Sequence, residues 1–257
     1  ALAGTPALGE TAGAELIAAP ARRVLEPGLP ATELWSFGGT VPGRAIAVKQ
    51  GDEARIRLVN RLAQATSIHW HGVRVPNAMD GVPFLTQAPV APNKSFDYRF
   101  RAEDAGTFLY HTHINNTEQM ARGLFGPFIV AERKPYPADR DVTWVLNDWR
   151  IGRDGVLDGT FDHPHDLTHA GRLGNLITVN GEAEGVLKGK ANERVRLRLI
   201  NTATGRIFDL RFGALKPTVI ALDGQPVAPR PARASDLLIG PGMRVDLVLD
   251  LPAPGTK

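Results

Sequence analysis

Short runs in which apolar and polar residues alternate recur along this chain from Leu34 onward, and such runs are typical of β-strands. In residues 54–60, Ile56 and Leu58 alternate with arginines, so one face of the predicted strand is apolar. In the first half of the chain, the predicted strands span residues 45–48, 54–60, 66–70, 95–101, 106–111 and 125–131. The pattern favours an all-β fold with little helix outside short turns.

Two domains are predicted, because the strand pattern stops once and then starts again. Residues 132–140 contain Pro135 and Pro137 and lack alternation, which suits a linker. A second series of strands starts at residues 142–146, and the 257 residues are enough for two hydrophobic cores. We therefore expect a flexible N-terminal segment at residues 1–25, a first domain at residues 26–135 and a second domain at residues 136–257.

The two halves are related in sequence, which indicates a duplicated domain. Residues 57–72 (RLVNRLAQATSIHWHG) align without a gap with residues 198–213 (RLINTATGRIFDLRFG). The identical pairs include Arg57 and Arg198, Leu58 and Leu199, Asn60 and Asn201, and Gly72 and Gly213. A later turn, residues 79–81 (MDG), corresponds to residues 222–224 (LDG).

The composition excludes several kinds of site and partner. The chain has no cysteine, so disulfides, thiolate metal ligands and cysteine nucleophiles are excluded. Lysines and arginines are scattered and the formal net charge is +3, so no nucleic-acid partner is expected. No apolar run approaches the roughly 20 residues that span a bilayer, so no membrane partner is expected either.

The histidines carry the strongest chemical signal. His69 and His71 flank a tryptophan, and His111 and His113 flank a threonine. On a strand, residues i and i+2 point to the same side, about 6.6–6.8 Å apart along the chain. Each pair can therefore present two imidazoles to one side, at a spacing that suits two neighbouring metal ions better than one. Four imidazoles without thiolate or carboxylate suit copper or zinc.

The alternative is that these four are ordinary surface or core histidines. A single His-x-His motif is most often of that kind, but here two motifs lie in one predicted domain and hold four of the seven histidines. The aligned positions of the second half carry Leu210 and Phe212, so the pairs belong to the first copy alone. Four ligands cannot complete the coordination of two or three ions. Water, another chain or a missing domain must supply the rest.

The segments around these histidines resemble the copper-binding segments of multicopper oxidases, in particular the laccase-like, bacterial three-domain type. The resemblance rests on SIHWHGVRVPNAMDGVPFLTQAPVAP and GTFLYHTHINNTEQMARGLFGPFIV, with further support from LGNLITVNG and VIALDGQPV in the second half. It implies that the chain holds the first two cupredoxin domains, folded as tandem cupredoxin-like Greek-key β-sandwiches. The family's third domain carries a cysteine-ligated type-1 copper, which a chain without cysteine cannot hold.

The resemblance also implies roles for individual residues. His69 would bind the type-2 copper, His71 and His111 would bind one type-3 copper, and His113 would bind the other. Asp80 would help to move protons to bound oxygen, although an aspartate before Gly81 is also a common turn residue. Asp223, which lies in the same turn of the second copy, supports the turn interpretation, because no copper ligand is expected near it.

By the same resemblance, the complete protein would be a copper-dependent oxidase. It would take single electrons from phenols, amines or metal ions and reduce oxygen to water. A missing third domain or a partner chain would complete the copper cluster, and this chain alone is expected to be inactive. The family implies a periplasmic or secreted protein. The alternatives are a non-enzymatic copper-binding module in copper tolerance and a cupredoxin-like scaffold, although a scaffold would not need all four histidines.

A third group of histidines lies in the second half, at His163, His165 and His169. Pro164 disturbs any strand alternation there, so we expect a solvated loop. A metal site that captures copper from solvent is the alternative.

Overall fold

Both halves of the chain consist of β-strands and turns in a computed structural model that describes residues 13–253. The first half contains β1 (Ala14–Arg23), β2 (Thr32–Phe37), β3 (Ile46–Lys49), β4 (Glu53–Asn60), β5 (His69–His71), β6 (Ser95–Arg101), β7 (Gly106–His111), the short helix α1 (Asn116–Gln119) and β8 (Phe125–Ala131). These strands form two four-stranded sheets, in the orders β2-β1-β4-β6 and β3-β8-β7-β5. Leu16 and Leu58 of the first sheet share one core with Trp70 and Phe128 of the second, so the half is a sandwich.

The second half repeats this organisation with unequal sheets. It contains β9 (Arg140–Trp149), the short helix α2 (Pro164–Thr168), β10 (Leu176–Val179), β11 (Arg194–Asn201), β12 (Phe208–Asp209), β13 (Thr218–Leu222), β14 (Gln225–Pro231), β15 (Leu238–Ile239) and β16 (Arg244–Asp250). Six strands form a sheet in the order β10-β9-β11-β16-β13-β14, and β12 pairs with β15. The all-β prediction is confirmed. None of the helices in the described part is long and apolar enough to cross a membrane.

Each of these sheets takes its strands from one half of the chain. The predicted domain boundary between residues 135 and 136 falls between β8 and β9. We keep it as our proposed boundary.

The flexible N-terminal segment expected at residues 1–25 is wrong for the part that the structure describes. Residues 14–23 form β1, which pairs in parallel with β4 and antiparallel with β2. Leu16 and Ala18 are fully buried, and this burial and the two ladders hold a segment whose Ala-rich composition suggested no strand. Residues 1–12 lie outside the described residues.

The duplication is visible in equivalent hydrogen bonds of Asn60 and Asn201, which are both fully buried. Each side chain donates from Nδ2 to two backbone carbonyls and accepts at Oδ1 from the backbone N–H two residues later. The carbonyls belong to Gln64 and Val90 for Asn60, and to Arg206 and Ile239 for Asn201. The same asparagine therefore closes the same strand end in both copies.

Two buried arginines of β11 connect the halves. Arg198 Nη1 donates to Thr107 Oγ1 of β7 at 2.8 Å, and Arg196 Nη2 donates to Glu132 Oε1 at 2.5 Å. Both arginines also pair with the buried Asp246 of β16, which balances part of their charge. Because β7 also carries His111, the second half is fixed against a histidine-bearing strand of the first.

Candidate metal centre

Two neighbouring strands place the paired histidines together. In the antiparallel ladder of β5 and β7, His69 lies directly opposite His111. Trp70 points to the other face of β5, where it is fully buried against Tyr98, Phe100 and Phe128. The alternation of the strand therefore puts the indole in the core and both imidazoles of the first pair on the opposite face.

The four imidazoles converge on one place. Ring centroids lie 5.2 Å apart for His69 and His113, 5.4 Å for His69 and His111, and 5.6 Å for His71 and His111. His69, His71 and His111 each offer a nitrogen within 4.8 Å of the other two. His111 is buried and the other three are half-buried, so the group lies at an edge of the first half that solvent still reaches.

His71 and His111 face each other with the geometry of two ligands of one ion. His71 Nδ1 lies 3.4 Å from His111 Nε2. Two nitrogens that each bind one tetrahedral ion at about 2.0–2.1 Å would lie roughly 3.3 Å apart. The observed separation fits this donor pair without movement of the backbone.

Backbone carbonyls fix which nitrogen of two rings is free. His69 Nδ1 lies 2.9 Å from the carbonyl oxygen of Asp80, and His111 Nδ1 lies 2.6 Å from that of Thr112. A carbonyl oxygen can only accept, so Nδ1 of each ring donates its hydrogen. The lone pair is then on Nε2, where a metal can bind, and the carbonyl sets the orientation of the ring.

Two of the rings, His71 and His111, are neutral at ordinary pH. Desolvation by burial lowers the pKa of His71 to about 4 and that of His111 to about 3. The Arg244 guanidinium lowers the pKa of His71 further. Metal ligation needs the neutral imidazole, so these two residues are ready to bind an ion without first losing a proton. The residues present therefore fit a site for copper or zinc.

Asp80 lies in a turn and also lies beside the histidine cluster, so it has features of both roles that the sequence left open. It follows the 3₁₀ turn Asn77–Met79, and Gly81 after it has a φ of +75°. A Cβ on Gly81 would lie 1.7 Å from the carbonyl oxygen of Ile68, so only glycine fits this turn. The Asp80 carboxylate nevertheless lies 3.3 Å from His69 Nδ1, which places an acid beside the histidine cluster.

Buried polar side chains, which the sequence analysis did not identify, fix the segment that carries His113. Thr66 and Thr112 donate from Oγ1 to Gln119 Oε1 at 2.8 and 2.7 Å. Gln119 Nε2 donates to the carbonyl of Ala65 at 2.8 Å. The threonine between the two histidines thus points away from them and locks the turn between β7 and α1.

Residues of the second half also pack against the histidine cluster, which the sequence analysis did not predict. A Cβ on Gly242 would lie 2.8 Å from Cε1 of His71, so the glycine backbone packs directly on that ring. Arg244 donates to the carbonyls of Thr107, Gly242 and Asp223 at 3.2, 2.8 and 2.8 Å. The sequence did contain one signal for this contact. The LDG turn of the second half corresponds to the MDG turn of the first half, which carries Asp80.

Asp223 is a turn residue, as the sequence predicts, but the prediction that no copper ligand lies near it is wrong. Asp223 Oδ1 accepts the backbone N–H of Arg244 at 2.9 Å, as a turn residue does. The carboxylate is also close enough to His71 to raise its pKa against the larger effect of burial. The third histidine group has a different location, since His163, His165 and His169 are exposed on and beside α2.

Comparison with known proteins covers nearly the whole chain. Two family models described as multicopper oxidase match residues 21–135 and residues 140–256. Laccase-2 of Botryotinia fuckeliana is 35% identical over 85% of this chain and 40% of its own length. A copper resistance protein A homolog of Pseudomonas syringae pv. tomato is 29% identical over 86% of this chain and 44% of its own length.

The crystal structure of a multi-copper oxidase from Pseudomonas thermotolerans superposes with a TM-score of 0.89 at 40% identity, covering 95% of this chain and 59% of that chain. The chain thus spans about half the length of the curated relatives that it matches. Matches of this extent show that both halves are tandem cupredoxin-like domains. The chain belongs to the multicopper oxidase family, whose proteins use copper.

Proposed function

We propose that this chain supplies the first two domains, and half of the imidazole ligands, of a laccase-like copper oxidase. The complete enzyme couples one-electron oxidation of phenols, amines or metal ions to the reduction of oxygen to water. The observation that carries this proposal is the convergence of four imidazoles, two of which face each other with nitrogens 3.4 Å apart.

Each histidine has a proposed ligand role. His71 through Nδ1 and His111 through Nε2 hold one type-3 copper, which their facing nitrogens support. His69 holds the type-2 copper through Nε2, because its Nδ1 donates to the carbonyl of Asp80. His113 holds the second type-3 copper. The type-1 site lies outside these residues, since they include no cysteine.

Bound copper would supply one-electron redox chemistry at oxygen. The protein residues hold the imidazoles in place and move protons. The buried Trp70 and the ladder between β5 and β7 fix the imidazoles before any ion binds. The Asp80 carboxylate lies beside His69 on the half-exposed side of the cluster, where it can accept or donate a proton. We propose that it relays protons from solvent towards the site of oxygen reduction.

The remaining ligands must come from outside the residues described. Four imidazoles leave three coppers under-coordinated, and the half-exposed side chains of His69 and Asp80 leave one side of the cluster open. We propose that further residues of a longer chain, or a partner chain, close this side. We also propose a periplasmic or secreted location, where the copper, oxygen and reductant of such an enzyme are available.

The test compares residues 1–257 with a longer chain that includes the complementary ligands. Both are loaded with copper, and oxygen uptake is measured with a phenolic substrate. We expect negligible turnover and no intense blue thiolate-copper band from the 257 residues, and turnover from the longer chain. His71→Ala in the longer chain should abolish turnover, whereas Arg211→Ala, a control at an exposed site in the second half, should not.

Two results would change the proposal. Turnover by the 257 residues at the rate of the longer chain would refute the proposal that these four histidines are only part of the copper ligands. A longer chain that binds copper at these histidines yet never consumes oxygen would instead support a copper-binding module in copper tolerance.

A further inference from the structure

The third histidine group lies on a short helix rather than in the solvated loop that its sequence predicts. His163 is the N-cap of α2, and its Nδ1 accepts the backbone N–H of His165 at 3.3 Å. Pro164 occupies the first helical turn, where its missing N–H costs nothing, and Asp166 adds the negative charge that a helix N-terminus favours. The same residues that break a strand pattern therefore start a helical turn.

This helical turn is anchored to the rest of the second half on one side. Arg150, which directly follows β9, donates to both carboxylate oxygens of Asp166, at 2.5 and 2.9 Å. Arg150 also donates to the carbonyl of Leu173, which follows the helix, at 3.0 Å. Asp166 is the anchored residue of the turn, and its histidines are left exposed to solvent. A bidentate contact of this kind orients the helix as well as holding it.

The anchored turn brings two imidazoles together. His165 and His169 are four residues apart, and the N–H of His169 donates to the carbonyl of His165 at 3.0 Å, as in an α-helix. Their rings are stacked, with centroids 4.3 Å apart and an angle of 2° between the planes. The ring of His163 lies 6.5 Å from that of His165. All three residues are exposed to solvent.

The free nitrogens of this group suit a metal ion. The Thr168 hydroxyl donates to the carbonyl of Pro164, so Nδ1–H of His169 donates to this hydroxyl at 2.8 Å and Nε2 keeps the lone pair for a metal. Nδ1 of His163 accepts the capping N–H, so its own hydrogen is on Nε2 and the ring can bind an ion only by releasing the cap. An ion bound at about 2.0–2.1 Å by two imidazoles needs their nitrogens roughly 3.3 Å apart. The rings of His165 and His169 start from a centroid distance of 4.3 Å, and rotation about their exposed side-chain bonds can bring two nitrogens to this separation.

We propose that His165 and His169, with His163 as a third ligand, bind one divalent transition-metal ion on the surface of the second domain. Imidazole donors bind Cu²⁺ more tightly than Zn²⁺ or Ni²⁺, so Cu²⁺ is the preferred ion. This site shares no residue with the cluster of the first domain. It gives the second domain, which has no cluster ligand of its own, a place to hold copper that arrives from solvent.

The experiment titrates residues 1–257 with Cu²⁺ against a competing chelator and records the electron paramagnetic resonance spectrum. His165→Ala and His169→Ala should each weaken the surface site by roughly 10²–10⁴-fold, because the second imidazole of a chelate binds at high effective concentration. His163→Ala should weaken it less. Leu167→Ala, at an exposed residue of the same helical turn, is the matched control and should leave the affinity unchanged.

Two further measurements keep the result interpretable if a variant folds poorly. In the unaltered chain, Zn²⁺ should shift the imidazole NMR signals of His165 and His169 together, at one stoichiometric ion. His71→Ala should remove copper bound at the cluster and leave this surface site intact, so failure of either proposal is seen separately. Unchanged Cu²⁺ affinity and stoichiometry in the His165→Ala/His169→Ala double variant would overturn the inference.

Discussion

The contact between Gly242 and His71 makes a prediction about a residue that binds no metal itself. In Gly242→Ala, the new Cβ would lie 2.8 Å from Cε1 and 3.2 Å from Nε2 of the His71 ring. Carbon atoms in contact prefer separations of about 3.5–4.0 Å, so the ring must withdraw by roughly 0.7 Å or the loop must move. Metal-binding groups tolerate displacements of about 0.5 Å. We therefore expect copper affinity at the cluster to fall by about 10–100-fold.

Gly213→Ala is the matched control for this variant. Gly242 and Gly213 have φ values of +76° and +58°, so alanine is strained at both positions. No heavy atom lies within 4 Å of a Cβ on Gly213, whereas His71 blocks the one on Gly242. Both variants should lose about 1–3 kcal/mol of unfolding free energy through backbone strain. Only Gly242→Ala should also lose copper affinity.

The assay is a chelator-competition titration with copper, made in a chain that carries His165→Ala and His169→Ala so that the cluster alone is measured. Urea unfolding without copper gives the free energy of unfolding of the same variants. The reasoning fails if Gly242→Ala binds copper as tightly as its parent chain. It also fails if Gly213→Ala weakens copper binding equally, because the loss would then reflect strain and not the contact with His71.

Three other changes test separate parts of the structure. Arg244→Met should lower the free energy of unfolding by urea by about 2–4 kcal/mol, because buried carbonyls at the domain interface lose a charged donor, while Arg211→Met at an exposed site should stay within about 0.5 kcal/mol. Arg230 holds the pKa of Asp236 at about 2, below the ordinary 3.8, so this carboxylate stabilises the fold above about pH 4 and the effect disappears as the pH falls towards 2. Acid titration of stability in Asp236→Asn should lack that contribution of about 1–2 kcal/mol. In the complete oxidase that we propose, Asp80→Asn should slow oxygen reduction by roughly 10²–10⁴-fold with unchanged copper content. Equal rates in the two proteins would show that Asp80 serves only as a turn residue.

The local part of the site could be predicted from the sequence, because it depends on the two-residue period of a strand. That period places His69 and His71 on one face of β5 and Trp70 in the core, as the structure has them. The alternation in residues 54–60 is likewise realised in β4, where Ile56 and Leu58 are buried. In both cases each residue's side of the strand follows from its neighbours in the chain.

What the sequence did not show depends on contacts between distant segments. β1 has few strong strand formers, and it is a strand because β2 and β4 pair with it on both sides. Gly242 and Arg244 lie at the cluster because the second domain packs against the first, through the buried contacts of Arg196 and Arg198 and through an apolar core that both domains share. No local pattern encodes that docking, so the sequence alone does not place these residues at the cluster.

The duplication explains how a domain without cluster ligands comes to shape the cluster. In the first copy, the turn before Gly81 brings Asp80 to His69. In the second copy, the equivalent turn before Gly224 packs on Phe108 of β7, the strand that ends in His111. The same turn therefore approaches the histidines twice, once from within its own domain and once across the interface. The second copy carries Leu210 and Phe212 at the positions aligned with His69 and His71, where they pack against its own core, and it has the same turn. The second domain therefore has a structural role at the cluster, since its turn and Arg244 confine the part of the site that holds His71.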